Sequence, residues 1–369
     1  MTEAQTQRAA QDVIYLVKCA VKEEIPDLTR IEDTEAIYSY AAQHKLTAAV
    51  AMALESAGQK DKQSNLAIAN ALKRKVIFEK AWAQVKEALE KSGIWYMPLK
   101  GMILKDYYPK PGMREMGDHD ILFDADRADD VKAIMEGLGY ETSSFGSSNH
   151  DCYNKLPFLR FEMHQALFGP RHDEKLYEYY RDVDKRLLGE GYEKHFSPED
   201  FYLYVTAHEY KHYTNKGTGL RSLLDTYVYL QKETLDMAYV AAEAEKLGMA
   251  TFEAANRSLA QHLFSGGELT EDDKEMLAYM LSSGVYGTRE HRVENVMSKH
   301  EWGKLQYVLN RFFVPVSKKN KEYAAYARAF PFFYKYRIFL PFLPFYRAFR
   351  AMKSGRFNAE VKVIRNAKV

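Results

Sequence analysis

Two carboxylates separated by one residue, Asp118 and Asp120, stand in the run Gly117-Asp118-His119-Asp120-Ile121-Leu122-Phe123. On a strand, alternate side chains share a face, so both acids point one way while His119, Ile121 and Phe123 point the other. Two acids in one small volume repel, and a hard divalent cation shared with substrate phosphates is the usual relief. The competing reading is a polar strand end followed by a solvated turn over 124–130. A third carboxylate would complete a two-metal site, and residues 158–164 offer Glu162. There Leu159, Phe161 and Met163 form an apolar face, and Arg160, Glu162 and His164 form a polar one. A strand of this pattern beside the acidic strand would aim Glu162 at the same metals. Asp151 competes for the third position, and a plain half-exposed strand competes with both.

The residues upstream favour phosphate chemistry. Ile94-Trp95-Tyr96-Met97 is a short β-prone run, and the pattern after Gly101 reads as a short helix stopped by Pro109. Gly101 therefore sits at a strand-to-helix turn, where backbone N–H groups can cradle a phosphate. Lys100 and Arg114 would supply the positive charge that a triphosphate needs, or else are ordinary surface cations.

A rival motif lies downstream. His208-Glu209-Tyr210-Lys211-His212 is a literal His-Glu-x-x-His. On a helix the two histidines share a face and could bind zinc with Glu209 as general base, as in a metalloprotease. The helix is credible, with Ser197 as cap, Pro198 in the first turn, and Glu199 and Asp200 at the positive end of the dipole. Glu233 is a conceivable but unmarked third ligand. The alternatives are core histidines bonded to the helix bearing Asp225, or a basic face in which His208 and Lys211 touch nucleotide phosphates. The last is favoured.

Composition sets outer bounds. The 369 residues hold 52 basic and 51 acidic side chains, and the length suffices for two or three domains. Cys19 and Cys152 are the only cysteines. That excludes a disulfide framework and a cysteine zinc site, and makes a reducing cytoplasm the expected compartment. No signal peptide is visible at the N-terminus, and no apolar run approaches the roughly 20 residues of a membrane span. Charge is uneven: residues 318–369 carry 13 Lys and Arg against two Glu. Ten aromatic rings between Phe330 and Phe349 interleave with that charge. Such a tail could touch an anionic membrane surface or nucleic acid. Alternatively, Pro331, Pro341 and Pro344 break its helices and the rings pack back on the acidic remainder.

Leu99-Lys100-Gly101, Arg114 and Asp118-His119-Asp120-Ile121-Leu122 together resemble the uncharacterised nucleotidyltransferase family of the DNA polymerase beta superfamily. The resemblance extends through Glu162 to His164, through His208, Lys211, His212 and Asp225, and into the aromatic stretch from Phe330 to Arg350. Two positions depart from the superfamily pattern: Met102 stands where Gly or Ser is common, and His119 where a small aliphatic residue is usual. The resemblance implies an α+β fold, a small mixed β-sheet core flanked by N-terminal and C-terminal helical regions. The segments expected are 1–90 helical, 91–190 the core, 191–310 helical and 311–369 the basic aromatic tail. It further implies transfer of an NMP from an NTP to an acceptor hydroxyl on a sugar, small metabolite, peptide, protein or RNA, with release of pyrophosphate. Mg²⁺ or Mn²⁺ would be held by Asp118, Asp120 and Glu162, with Lys100, Gly101 and Arg114 at the phosphates. A catalytically silent nucleotide-binding scaffold is the alternative of a different class.

Overall fold

The computed structural model describes residues 2–170, 174–313, 315–317, 322–353 and 356–367. Four helices open the chain: α1 (Glu3–Lys22), α2 (Thr34–Gln43), α3 (Thr47–Ser56) and α4 (Lys62–Lys91). Asp61 caps α4 by accepting from the Ser64 N–H. Within α4, Phe78, Ala81, Val85 and Leu89 recur every three or four residues and are buried, so one stripe of this long helix faces a sheet.

That sheet is built from β1 (Tyr96–Pro98), β2 (His119–Phe123), β3 (Glu141–Ser144), β4 (His150–Lys155) and β5 (Leu159–His164), in the order β1-β2-β5-β4-β3. The β2–β5 pair is parallel and the β1–β2, β5–β4 and β4–β3 pairs are antiparallel. The fold is thus α+β with a small mixed sheet and helical flanks. The short helix α5 (Gly101–Leu104) follows β1, and α6 (Ala128–Gly137) follows β2.

The pleat divides the sheet chemically. Ile121, Phe123, Tyr153, Phe161 and Met163 point to the α4/α6 side and are fully buried there. Each such side chain contributes roughly 1.5–3 kcal/mol of transfer free energy. His119 shares that side: its ring stacks on Phe161 at 4.1 Å and on Phe78 of α4 at 4.3 Å. The unusual histidine therefore faces a packed helix, and burial lowers its pKa to about 4.

Helices continue with α7 (Glu174–Tyr180), α8 (Pro198–Tyr213), α9 (Leu220–Leu230), α10 (Met237–Leu247), α11 (Ala250–Ser265) and α12 (Glu271–Ser283). Ser197 caps α8 by accepting from the Asp200 N–H at 3.1 Å. Leu203, Tyr204 and Ala207 of α8 join Met97, Leu99 and Leu122 in a second core on the other side of the sheet. The last elements are α13 (Arg289–Lys299), α14 (Lys304–Phe312), α15 (Tyr323–Ala329), α16 (Pro331–Lys335), α17 (Leu343–Lys353) and α18 (Arg356–Asn366). By compactness the chain divides into one unit of residues 1–210 and 219–285 and a second of residues 211–218 and 286–369.

Candidate active site

On the sheet face opposite α4, strand register collects the polar side chains. Asp120 of β2 lies directly across from Glu162 of β5, and Glu162 lies across from Cys152 of β4. His164 and His150 form the next row. Ligand atoms of Asp120, Glu162 and His164 all lie within 4.8 Å of one another, as do those of His150, Cys152 (its Sγ) and Glu162. Asp118 stands one residue before β2, half-buried, with no side-chain hydrogen bond among the described residues. Asp151 pairs with Met163 and so faces the opposite way. It is fully buried and accepts from the Gly146 N–H and from Gln165 Nε2, both at 2.7 Å. The pleat therefore leaves Glu162, and not Asp151, beside Asp120.

The electrostatics of the cluster follow from this placement. Lys100 Nζ donates to Asp120 Oδ1 at 2.7 Å, and His164 Nε2 lies 3.0 Å from the same oxygen. Burial opposes charge on both partners, yet Lys100 and the His164 hydrogen bond hold the Asp120 carboxyl well below its usual range. Burial likewise works against the Lys100 ammonium, and Asp120 overrides it to hold the group above its ordinary value. Asp118 behaves oppositely: burial, then Asp120 and Glu162, push it up to about 6 against the pull of Lys100 and Arg221. Three carboxylates thus share one volume, and the crowding falls on Asp118. Arg160 donates to Glu162 Oε1 at 3.1 Å from Nε and 2.7 Å from Nη2, and the oxygen-rich donor set of the cluster suits Mg²⁺ or Mn²⁺.

Lys100 has φ 46° and ψ −115°, an uncommon conformation for a residue with a Cβ. The strained turn aims its ammonium at Asp120 while the chain enters α5. Gly101 follows and is buried. A Cβ there would strike the Arg114 guanidinium and come within 2.8 Å of Met116 Sδ. The glycine thus permits close approach of Arg114. That arginine forms a two-pronged pair with Asp225 of α9, at 2.7 Å from Nε and 2.8 Å from Nη2. Tyr108 also donates to Asp225, at 2.7 Å. Only Nη1, 3.4 Å from Met116 Sδ, remains outside the carboxylate grip. A cavity of about 1000 Å³ between α4 and residues 105–116 borders Arg114 and Met116 but none of the three carboxylates. The three carboxylates and this cavity therefore do not meet.

A family model described as uncharacterised nucleotidyltransferase matches residues 31–265. The chain belongs to that family. No curated protein and no solved structure matches it. The matched span contains every acid, lysine and arginine of the site just described.

Arg221, and the role of His164 in this cluster, escape the sequence reading. Arg221 of α9 donates through Nη1 to the Glu115 carbonyl at 3.3 Å, while its Nε is buried with no partner. Burial and the neighbouring Arg114 lower its pKa, partly offset by Asp225 and Asp118. The usable signal was spacing: Arg221 precedes Asp225 by four residues and so shares its helix face. His164 was visible as a polar strand residue, but its hold on Asp120 needed the β2–β5 register.

The His-Glu-x-x-His segment is placed differently from a zinc site. Glu209 is buried in the helical core, accepting from Asn256 Nδ2 at 3.1 Å, and burial pushes its pKa up to about 8. Glu233, the conceivable third ligand, accepts instead from the Tyr107 hydroxyl at 2.6 Å. Among the described residues, neither His208 nor His212 belongs to a group of three or more clustered metal-capable side chains. His208 and Lys211 are half-buried in the last turns of α8, and Lys211 belongs to the second unit.

Proposed function

We propose that this protein transfers an NMP from an NTP to an acceptor hydroxyl, releasing pyrophosphate. The observation that carries the reading is the register of Asp120 against Glu162 with Asp118 at the same edge, in a chain whose family is that of nucleotidyltransferases. Asp118, Asp120 and Glu162 would hold Mg²⁺ or Mn²⁺, which when bound neutralises phosphate charge and polarises the α-phosphate. The protein groups do the rest. Lys100 Nζ, Arg114 Nη1 and Arg221 bind and orient the phosphates, and their fixed charge stabilises the pyrophosphate as it leaves. His164 holds Asp120 ionised and oriented. Glu162 accepts the proton of the attacking hydroxyl. The acceptor oxygen bonds to the α-phosphorus as the bond to the β-phosphate bridge breaks.

Pyrophosphate release from each of the four NTPs, measured across a panel of hydroxyl acceptors, tests this. Asp118→Ala and Asp120→Ala are expected to abolish release while circular dichroism and melting remain those of a folded chain. Release retained in either variant would refute the assignment. A silent nucleotide-binding scaffold would bind NTP without release from any acceptor.

A further inference from the structure

The second unit carries a surface that phosphoryl transfer does not use. Phe332 of α16, Ile338, Phe339 and Phe342 in the turn that follows, and Phe345 and Phe349 of α17 are all solvent-exposed, Ile338 to 80%. On α17 the exposed Phe345, Phe349 and Met352 recur at i, i+4 and i+7, hence on one face, while Leu343 is fully buried. Ring contacts tie α16 and the turn to α17 through Phe332–Phe339 at 5.5 Å, Phe332–Phe333 at 5.6 Å and Phe333–Tyr346 at 5.3 Å, while Phe312 of α14 meets Phe345 edge-on at 5.4 Å. Isolated apolar residues on a surface need no explanation, but this many exposed rings on three consecutive elements do.

Charge narrows the choice of occupant. Lys335, Arg337, Arg350 and Lys353 are exposed among the rings, and Glu322 is the only acid between residues 322 and 353. We propose that this face docks on an anionic lipid bilayer, with the rings and Ile338 entering the acyl boundary and the cations meeting lipid phosphates. The elements are of the right kind: α16 and α17 are 5 and 11 residues long, and among the described residues no helix is long and apolar enough to cross a membrane. Short helices with an apolar face and a basic margin lie in the interface plane. Nucleic acid would use the cations and stack on the rings, but it offers nothing to Ile338 and Met352. A second copy would bring two basic patches together, which repel.

The test is co-sedimentation of the full chain with phosphatidylcholine vesicles, and with the same vesicles containing phosphatidylglycerol. Binding is expected only to the anionic vesicles, and it weakens as salt rises. The exposed pair Arg350→Glu/Lys353→Glu should weaken it roughly thirtyfold or more. Phe345→Asp/Phe349→Asp should remove it, with melting of both variants unchanged. Failure to sediment with anionic vesicles overturns the proposal. So does binding that ignores lipid charge and both variants, or a patch-dependent retention on duplex DNA or self-association without vesicle binding. Vesicle binding requires neither NTP nor turnover, so its failure is separate from any failure of the transferase reading.

Discussion

At the level of single residues, the three acids of the site are unequally paired: Lys100 donates to Asp120 and Arg160 to Glu162, while among the described residues Asp118 has no such partner. Lys100 and His164 satisfy Asp120, leaving Asp118 to take the repulsion. A carboxyl whose folded pKa lies above its unfolded value favours the fold when protonated and loses that advantage as pH rises through about 6. Asp118→Asn is therefore expected to raise the melting temperature at pH 7.5, and the unfolding free energy by on the order of 1–3 kcal/mol once solvent screening is allowed for. The gain should shrink steadily between pH 6 and pH 4. A destabilised Asp118→Asn protein at pH 7.5 would mean that the carboxylate makes a favourable contact instead. Binding of Mn²⁺ should weaken below pH 6 in the wild type, as protons compete for the same oxygens. Arg221 makes the complementary case. It is a half-buried cation beside Arg114, so Arg221→Ala should leave melting unchanged or raised. NTP affinity should nevertheless fall about ten- to a hundredfold, the value of roughly 1.5–3 kcal/mol for a hydrogen bond to a charged group. Unchanged affinity in a titration would remove Arg221 from the phosphate site.

At the scale of secondary-structure elements, helix α9 is tied to the turn after β1 by the Arg114–Asp225 pair. Both partners are buried, so Arg114→Ala should cost about 3–5 kcal/mol in urea unfolding because it strands the Asp225 charge. Arg114→Ala/Asp225→Ala should cost less than the sum of the two single changes. The elements around the site were largely legible beforehand. Period-two alternation marked β5 and the half-polar face with Glu162, and the Ser197-Pro198 cap marked the start of α8. The acidic strand begins at His119 rather than Gly117, leaving Asp118 at its edge, because a strand end is decided by its partner and β5 pairs only from that point. What stayed hidden depends on long-range pairing. The exclusion of Asp151 needed the β4–β5 register, and the salt bridge of Arg114 needed α9 folded against the turn. Glu209 illustrates the converse. A three-position motif on a helix carries no information about which face is buried until the neighbouring helices are in place.

For the molecule as a whole, the family-matched residues 31–265 fall almost entirely in the first unit, while α13 to α18 belong to the second with cores of their own. Met297 is fully buried in one of those cores. Met297→Ala should therefore lower the unfolding free energy of the second unit by about 2–5 kcal/mol. The response of the first unit to NTP should be unaffected, as read by calorimetry with and without nucleotide. The first unit holds every residue to which the proposed reaction gives a role, and nucleotide recognition there is its premise. A thermal-shift experiment reaches it without knowledge of the acceptor: wild type and Asp120→Ala, each with ATP, GTP, CTP or UTP, with and without Mg²⁺. A ligand at about a hundred times its Kd stabilises the fold by roughly 2.7 kcal/mol. The expected result is a raised melting temperature with at least one NTP that requires both Mg²⁺ and Asp120. No shift with any NTP, or a shift that survives in Asp120→Ala without the cation, would contradict it.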